Sequence, residues 1–485
     1  MNLFRTSVLA FGLHAVLCAS AFAQWQTPNH SVPVGQGGGI TGFRSVGPGA
    51  ANLPLVGQGA SSDPLFQLLP NLGLAVGAAN TLKGTINGTS NTDVPMPGST
   101  CTQLGYVPGT GFNCTPTAGA QTISPLTFGA KCDGSTHDEV AFQNTVNAAV
   151  AQRAMIQLPA GNCVLAATIT NGTSLFEQTA IQGYGQASQI TFLGSAGFNF
   201  GAQASYYFLR DFMITCTNSA PACLKIGFAS GGATSFGSLI ENLTIENGAA
   251  QVSLQNAVQL IFQNNVLVTN SASADGLDVN NTQTADVGGN TFANNFIVCT
   301  FTSACNAGAT MTNVGGSQFI GNRMSGYGVD VHWITNISSG ASTGLNFENN
   351  QLDNWVNFGV LFENQGLGGF QLHVAVTSNV LNNSGPATGG TGIEFTRTGG
   401  SGQQFGAVSI TGNQVNTFGG LGINVGDTFG FNITGNQMVD SNGAGSTGIN
   451  VTADDTNCVV VGNSIQNYAL HVNNPGTVCT AVGNN

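Results

Sequence analysis

In the second half of the chain, apolar and polar residues alternate in short runs, and the runs recur as a two-part phrase. The first part reads Gly, apolar, any, apolar; the second, roughly 10–20 residues later, reads apolar, any, Gly, Asn, any, apolar. Gly276-Leu277-Asp278-Val279 leads to Val287-Gly288-Gly289-Asn290-Thr291-Phe292, and Gly392-Ile393-Glu394-Phe395 to Ile410-Thr411-Gly412-Asn413-Gln414-Val415. Gly422-Ile423-Asn424-Val425 leads to Ile433-Thr434-Gly435-Asn436-Gln437-Met438, and Gly448-Ile449-Asn450-Val451 to Val460-Val461-Gly462-Asn463-Ser464-Ile465, with looser copies from Gly308, Gly328 and Gly359. This alternation is the period of a strand, and no stretch of this half sustains a helical stripe.

The second-part asparagines are Asn242, Asn265, Asn290, Asn322, Asn350, Asn379, Asn413, Asn436, Asn463 and Asn484. They recur about every 27 residues, inside the range of solenoid repeats. One turn of chain with two or three short strands cannot bury its own apolar face, whereas stacked turns can. The pattern therefore predicts an all-β fold, a parallel β-solenoid. A column of asparagine amides would hydrogen-bond from coil to coil, and the neighbouring Gly suits a turn or bulge position without a Cβ.

One helix interrupts the strand text. Residues 138–152 carry Phe142, Val146, Ala149 and Val150 at helical spacing, with Asp138 placed to cap the start. A strand over 155–158 and a turn at Pro159-Ala160-Gly161 follow. An amphipathic helix beside the first strand is what a solenoid cap requires, because terminal coils expose an apolar face.

The stretch 126–165 resembles the opening motif of the pectate-lyase-like superfamily of right-handed β-helices. The group it is most similar to is the rhamnogalacturonase/epimerase-like pectate lyase domain, also seen in phage tailspikes. Phe128, Gly129, Ala130, Asp133, Gly134, Asp138, Pro159, Ala160 and Gly161 match that motif; Cys132, His137 and Cys163 depart from it. The paired cysteine changes support a Cys132–Cys163 staple on the cap. The resemblance implies a right-handed parallel β-helix with a short N-terminal capping helix and a carbohydrate-active role. The motif is structural and by itself assigns no chemistry.

Composition sharpens this picture. Only 6% of the 485 residues are charged, 69 are Gly, and the net charge is −12 with nine Lys and Arg. No nucleic-acid footprint is expected from such a chain. Arg5, an apolar run over 7–17 and Ala21-Phe22-Ala23 have the form of a secretory signal cleaved after Ala23, giving a secreted, periplasmic or cell-surface protein. No later stretch is long and apolar enough to enter a bilayer. Residues 24–120 read as a flexible Gly/Pro/Ser/Thr-rich segment, with a weaker likeness to tail-fibre linkers, and 121–485 as the β-helix domain.

After Cys18, ten cysteines fall into sequence-local pairs: Cys101 with Cys114, Cys132 with Cys163, Cys216 with Cys223, Cys299 with Cys305 and Cys458 with Cys479. Export favours disulfides. A bond between Cys101 and Cys114 would close a local loop in the N-terminal segment. Cys458 and Cys479 each lie five residues before a repeat asparagine, so they occupy one position in successive coils. Strands about 4.8 Å apart bring such residues within bonding range.

Candidate chemistry comes from stacking. Aligning coils by the phrase Gly gives one outward column of Asp278, Thr310, Asp330, Leu361, Glu394, Asn424 and Asn450. A second holds Asn280, Thr312, His332, Glu363, Thr396, Gly426 and Thr452. Asp278, Asp330, His332 and Glu363 thus gather on one face as catalytic candidates. Asp330 and Glu363, one rung and two residues apart, come to roughly 8 Å, in the range for inverting glycoside hydrolysis. His332 would orient a carboxylate or move a proton. Glu394, Arg397 and Trp355 are candidates for substrate binding, Arg397 toward a sugar acid and Trp355 toward a sugar ring.

Ser273-Ala274-Asp275-Gly276-Leu277-Asp278 resembles the Asn-Thr-Asp-Gly-x-Asp segment of polygalacturonases, which makes Asp275 a further catalytic candidate. That family's Gly-Asp-Asp, Gly-His-Gly and Arg-Ile-Lys motifs are missing. No cofactor is expected for hydrolysis; elimination would call for calcium. The expectation is a protein that binds, and cleaves by hydrolysis or elimination, an extracellular polysaccharide. The alternative is a non-catalytic structural or adhesive surface protein whose last coil pairs with a like subunit.

Overall fold

In the computed structural model the described residues are 122–485, apart from short segments at 173–177, 202–205, 218, 228–234, 282–287, 338–339, 367–368, 385–388, 400–404, 444, 453–454 and 476–478, together with the backbone of eight short strands before residue 115. The chain divides into two compact units, Met1–Thr117 and Ala118–Asn485. In the first, the eight strands form four antiparallel pairs, such as Val32–Gly35 with Phe43–Val46 and Thr81–Thr85 with Asn91–Pro95.

Cys114 ends one of these strands, Gly111–Cys114, and its backbone pairs with Leu104 of the strand Leu104–Val107. The expected disulfide from Cys101 to Cys114 is not among those of the described residues. Cys101 and the side chain of Cys114 both lie outside them, as does the expected signal segment.

The second unit is a parallel β-helix. One 12-stranded sheet and one 25-stranded sheet run its length, and every pairing in them is parallel. A typical coil has one strand in the smaller sheet and two in the larger. Asp275–Asn280 is followed by Thr291–Ala293 and Phe296–Cys299, and the next coil opens with Cys305–Thr312. Alternation puts Leu277, Val279, Val331, Trp333, Val360, Phe362, Ile393 and Phe395 inside, each at most 1% exposed. Phe262, Phe292, Phe319 and Phe347 stack from coil to coil with ring centroids 6.4, 6.2 and 5.3 Å apart. Each such buried ring contributes about 1.5–3 kcal/mol.

The asparagine column is real and sits at the corner between the two strands of the larger sheet. Asn322 shows its logic. Its backbone N–H and Nδ2 both donate to Asn350 Oδ1, at 2.9 and 3.1 Å, while Nδ2 also donates to Phe292 O at 2.9 Å. The same bonds link Asn265, Asn295, Asn322, Asn350, Asn379, Asn413, Asn436, Asn463 and Asn484. The residue before each column member takes a left-handed backbone, as at Asn294 (φ 55°), Gly412 (φ 66°) and Gly435 (φ 63°), which is why Gly or Asn stands there in every coil but one, where it is Ser378 (φ 56°).

Two members of the expected column are displaced. Asn242 occupies the left-handed position itself, with φ 55°, and Leu243 takes the column place. Asn290 lies at a different corner, where its Oδ1 accepts from Leu260 N; Asn295 is the column residue of that coil. The coil carries two candidate asparagines, and the one without a preceding Gly is the corner.

The capping helix is Glu139–Gln152, with Phe142, Val146 and Ala149 buried. Asp138 stands at its N-cap without capping it. Its carboxylate instead accepts from the backbone N–H groups of Lys131 (2.7 Å) and Cys132 (2.9 Å), tying the preceding loop to the helix. Disulfides join Cys132–Cys163, Cys216–Cys223, Cys299–Cys305 and Cys458–Cys479. Cys458 and Cys479 are register partners in adjacent strands, as the repeat phase requires. The four disulfides among the described residues fit an oxidising, extracellular setting, and no helix among these residues is long and apolar enough to cross a membrane.

Candidate active site

The outward face of the 12-stranded sheet collects most of the candidate ionisable groups. Register places Asp278, Thr310, His332, Leu361, Glu394, Asn424, Asn450 and Asn473 in one column. A second column runs Thr312, Ile334, Glu363, Thr396. His332 thus stands one column over from its expected place, and Asp330 leaves the face altogether.

Asp330 is 0% exposed, and neither carboxylate oxygen has a hydrogen-bond partner. It occupies the slot that Gly308 and Gly359 fill in the flanking coils, as the pairings on either side show. At that slot the chain turns inward. A Cβ on Gly276 would lie 2.4 Å from Gly308 O and 2.5 Å from Ile297 Cγ2. In this coil the phrase begins at Asp330, not Gly328, so aligning on Gly328 shifted both residues by two. Burial drives the Asp330 carboxyl far above its ordinary range, and the nearby amides of Tyr327 and Asp353 offset this only in part. It is a neutral interior acid and takes no part in the face.

Trp355 also departs from expectation. It is 0% exposed, inside the coil, and cannot stack on a ligand. Arg397 is at the face, but its Nη2 lies 3.1 Å from Asp427 Oδ1, which engages the guanidinium.

The remaining candidates come together. His332 Nε2 lies 2.8 Å from Glu363 Oε2. Gln365 Nε2 donates to the same oxygen at 2.8 Å, and Thr398 Oγ1 donates to Oε1 at 2.6 Å. Burial pushes the Glu363 carboxyl up, but the bonds from Thr398, Gln365 and His332, with the charge of His332, outweigh it and leave it below its ordinary value. Glu394, one coil on, accepts a 2.7 Å bond from Asn424 Nδ2 at Oε1. Burial there wins over the bonds from Asn424 and Thr391, and the carboxyl rises to about 7. Strand spacing and rise put the Glu363 and Glu394 backbones about 8 Å apart.

A second pair lies earlier along the face. Asp275 Oδ1 accepts from Asn306 Nδ2 (2.7 Å) and Ala307 N (3.0 Å), and Asp278 Oδ2 accepts from Ser253 Oγ at 3.3 Å. Both carboxyls are raised, each chiefly by burial; the charge of Asp275 adds to the rise at Asp278, and that of His332 opposes it at Asp275. Thr398, Gln365 and Asn306 were not singled out from sequence. Each lies at or beyond a strand end, where alternation no longer says which way a side chain points. The one cluster of potential metal ligands among the described residues is Cys132, Asp138 and Cys163, and its two cysteines are disulfide-bonded.

No protein-family model matches the sequence, and no curated protein matches it as a relative. Among solved structures, the fold is similar to the DFA-IIIase from Arthrobacter chlorophenolicus A6 without its lid, in complex with GF2. That likeness has a TM-score of 0.51 and 10% identity, over 75% of this chain and 98% of that one. It is also similar to the pre-mature bacteriophage phi29 gene product 12, with a TM-score of 0.51 and 13% identity, over 71% of this chain and 52% of that one. The chain therefore spans about half of that phage protein. The fold is a right-handed parallel β-helix. At these identities the likeness is one of architecture and carries no assignment of residues.

Proposed function

We propose that the outward face of the 12-stranded sheet binds an extracellular polysaccharide and hydrolyses its glycosidic bonds, with Glu394 as general acid and Glu363 as the base that activates water. The observation that carries this reading is the opposite setting of two neighbouring carboxyls. His332, Gln365 and Thr398 hold Glu363 as an anion, while burial keeps Glu394 partly protonated near neutral pH. A glycosidase needs one carboxyl in each state, and a separation of about 6.5–9.5 Å leaves room for the attacking water.

The chemistry follows from this division. Glu394 delivers its proton to the leaving glycosidic oxygen as the C–O bond breaks. Glu363 takes a proton from the water that attacks the anomeric carbon from the other side, so the products carry one added water and inverted configuration. His332 orients Glu363 through their 2.8 Å contact. Asp275 and Asp278 lie farther along the same face, where sugar hydroxyls of a long ligand would meet them. A row of polar side chains at rung intervals, broken only by Leu361 between His332 and Glu394, suits an extended polymer better than a compact metabolite.

Export is part of the proposal, supported by the disulfides and by the form of residues 1–23. The test is incubation with a panel of plant and bacterial polysaccharides, comparing the wild type with Glu363→Gln and Glu394→Gln. Release of reducing ends by the wild type alone, with all three proteins folded, is the expected result. Equal release by all three would remove these residues from the chemistry, and no release from any polymer would favour the structural or adhesive role.

A further inference from the structure

Beyond Glu394 the outward column continues as three asparagines in consecutive coils. Asn424 Nδ2 donates to Glu394 Oε1 at 2.7 Å, Asn450 Nδ2 to Asn424 Oδ1 at 2.6 Å, and Asn473 Nδ2 to Asn450 Oδ1 at 2.6 Å. This row is separate from the interior corner column, since it lies on the outward side of the other sheet. Its direction is not arbitrary. An ionised carboxylate only accepts, so Asn424 must turn its Nδ2 toward Glu394. That leaves Asn424 Oδ1 facing Asn450, which must then present its own Nδ2, and the same holds at Asn473. The carboxylate sets the orientation of amides up to three rungs away, and each bond polarises the next.

We infer that Asn424, Asn450 and Asn473 act as one oriented relay that fixes the position of Glu394 and assigns its titrating proton to Oε2, the oxygen away from the row. Oε1 stays an acceptor in both states of the carboxyl, so the row need not turn over when the proton arrives. The proton is then held on Oε2; the Thr391 hydroxyl also bonds this carboxyl and can accept as well as donate. The charged and titratable groups facing this stretch are His332 and Glu363 from the preceding coils, and Arg397 with Asp427 on its flank. The three asparagines are positioning residues, and their role in catalysis rests on the hydrolytic reading above.

The test needs no substrate, so it separates the relay from that reading. The titration of Glu394 is followed by NMR of protein with ¹³C-labelled glutamate, its signal identified by loss in Glu394→Gln. Asn424→Leu should raise the midpoint by about one pH unit, through loss of a charge-assisted bond. Asn450→Leu, which keeps the volume and does not touch Glu394, should raise it by roughly a fifth of that through lost polarisation. Asn450→Gln should fall short of this rise only if it restores the bond. A shift in Asn424→Leu with none in Asn450→Leu would reduce the relay to a single contact, and no shift in either would overturn it. Unchanged thermal unfolding midpoints for the variants confirm that the coils remain stacked.

Discussion

His332 Nε2 and Glu363 Oε2 lie 2.8 Å apart although 31 residues separate them in the chain. The solenoid makes them neighbours, because one coil returns the chain to the adjacent strand two positions out of step. Removing His332 takes away a bond and a positive charge that both favour the Glu363 anion. His332→Ala should therefore raise the Glu363 midpoint and move the acid limb of the rate profile to higher pH. Turnover measured between pH 3 and 9 (a window of about six units around the carboxyl range) checks this.

The two carboxyls should give a bell-shaped profile. Activity requires Glu363 ionised, which holds above its lowered midpoint, and Glu394 protonated, which fails as pH rises through about 7. Glu394→Gln removes the acid and should cost about 10²–10⁴ in kcat. An activated leaving group, which needs no protonation, should recover much of that loss.

Glu394 also links stability to pH. Its folded midpoint of about 7 stands above the ordinary 4.5, so the folded state holds the proton more tightly than the unfolded chain. The corresponding stability is fully present below pH 4.5 and is lost as pH rises through about 7, about 3 kcal/mol in all. Urea unfolding at a series of pH values should show this slope in the wild type and a flatter one in Glu394→Gln.

Asp330 gives a prediction of the same sign with a different cause. A fully buried acid whose oxygens make no hydrogen bond of good geometry, with only the nearby Tyr327 and Asp353 amides to favour the anion, destabilises the fold, the more so as pH rises and ionisation competes with burial. Asp330→Gly restores the residue that neighbouring coils use at this slot. It should stabilise the protein by about 1–3 kcal/mol, with the gain growing as pH rises, and leave polysaccharide cleavage unchanged. Chemical unfolding at acidic and alkaline pH, with activity alongside, reads both effects.

The interior asparagine column should be far less tolerant than the outward row. Asn322 donates three bonds and accepts two more, all buried. Asn322→Leu takes this partner from Asn295 N–H and Phe292 O on the preceding coil, at about 1–3 kcal/mol for each buried group, while Asn350 Oδ1 keeps the backbone N–H of residue 322. Asn484, which receives Asn463 at its Oδ1 and donates to Val460 O, should cost less when replaced by Ala. Thermal unfolding of the two variants compares them directly.

The fold was legible because every coil repeats the same physical problem. Alternation told inside from outside at Leu277, Val279, Ile393 and Phe395, and the corner amides recurred with the coil. The phase was legible only where the phrase was intact. Asp330 hid the phrase by replacing its Gly, and the decoy Gly328 moved two candidates by one column each. Asn290 misled in the same way, as Gly-Asn text at the wrong corner. Cysteine pairing followed the coil at Cys458 and Cys479, where the repeat fixes the register. The site was half legible: Asp275, Asp278, His332, Glu363 and Glu394 do share a face, yet their partners Thr398, Gln365 and Asn306 come from strand ends that carry no periodic signal. The contrast between Glu363 and Glu394 depends on hydrogen bonds and burial, which sequence spacing does not encode.

The most direct test of the central claim is mass spectrometry of fragments released from polysaccharides in H₂¹⁸O. Hydrolysis at this face predicts fragments carrying one ¹⁸O at the new reducing end, formed by the wild type and lost in both Glu363→Gln and Glu394→Gln. Unsaturated fragments without the label would show elimination instead and contradict the assignment of Glu394 as acid and Glu363 as base.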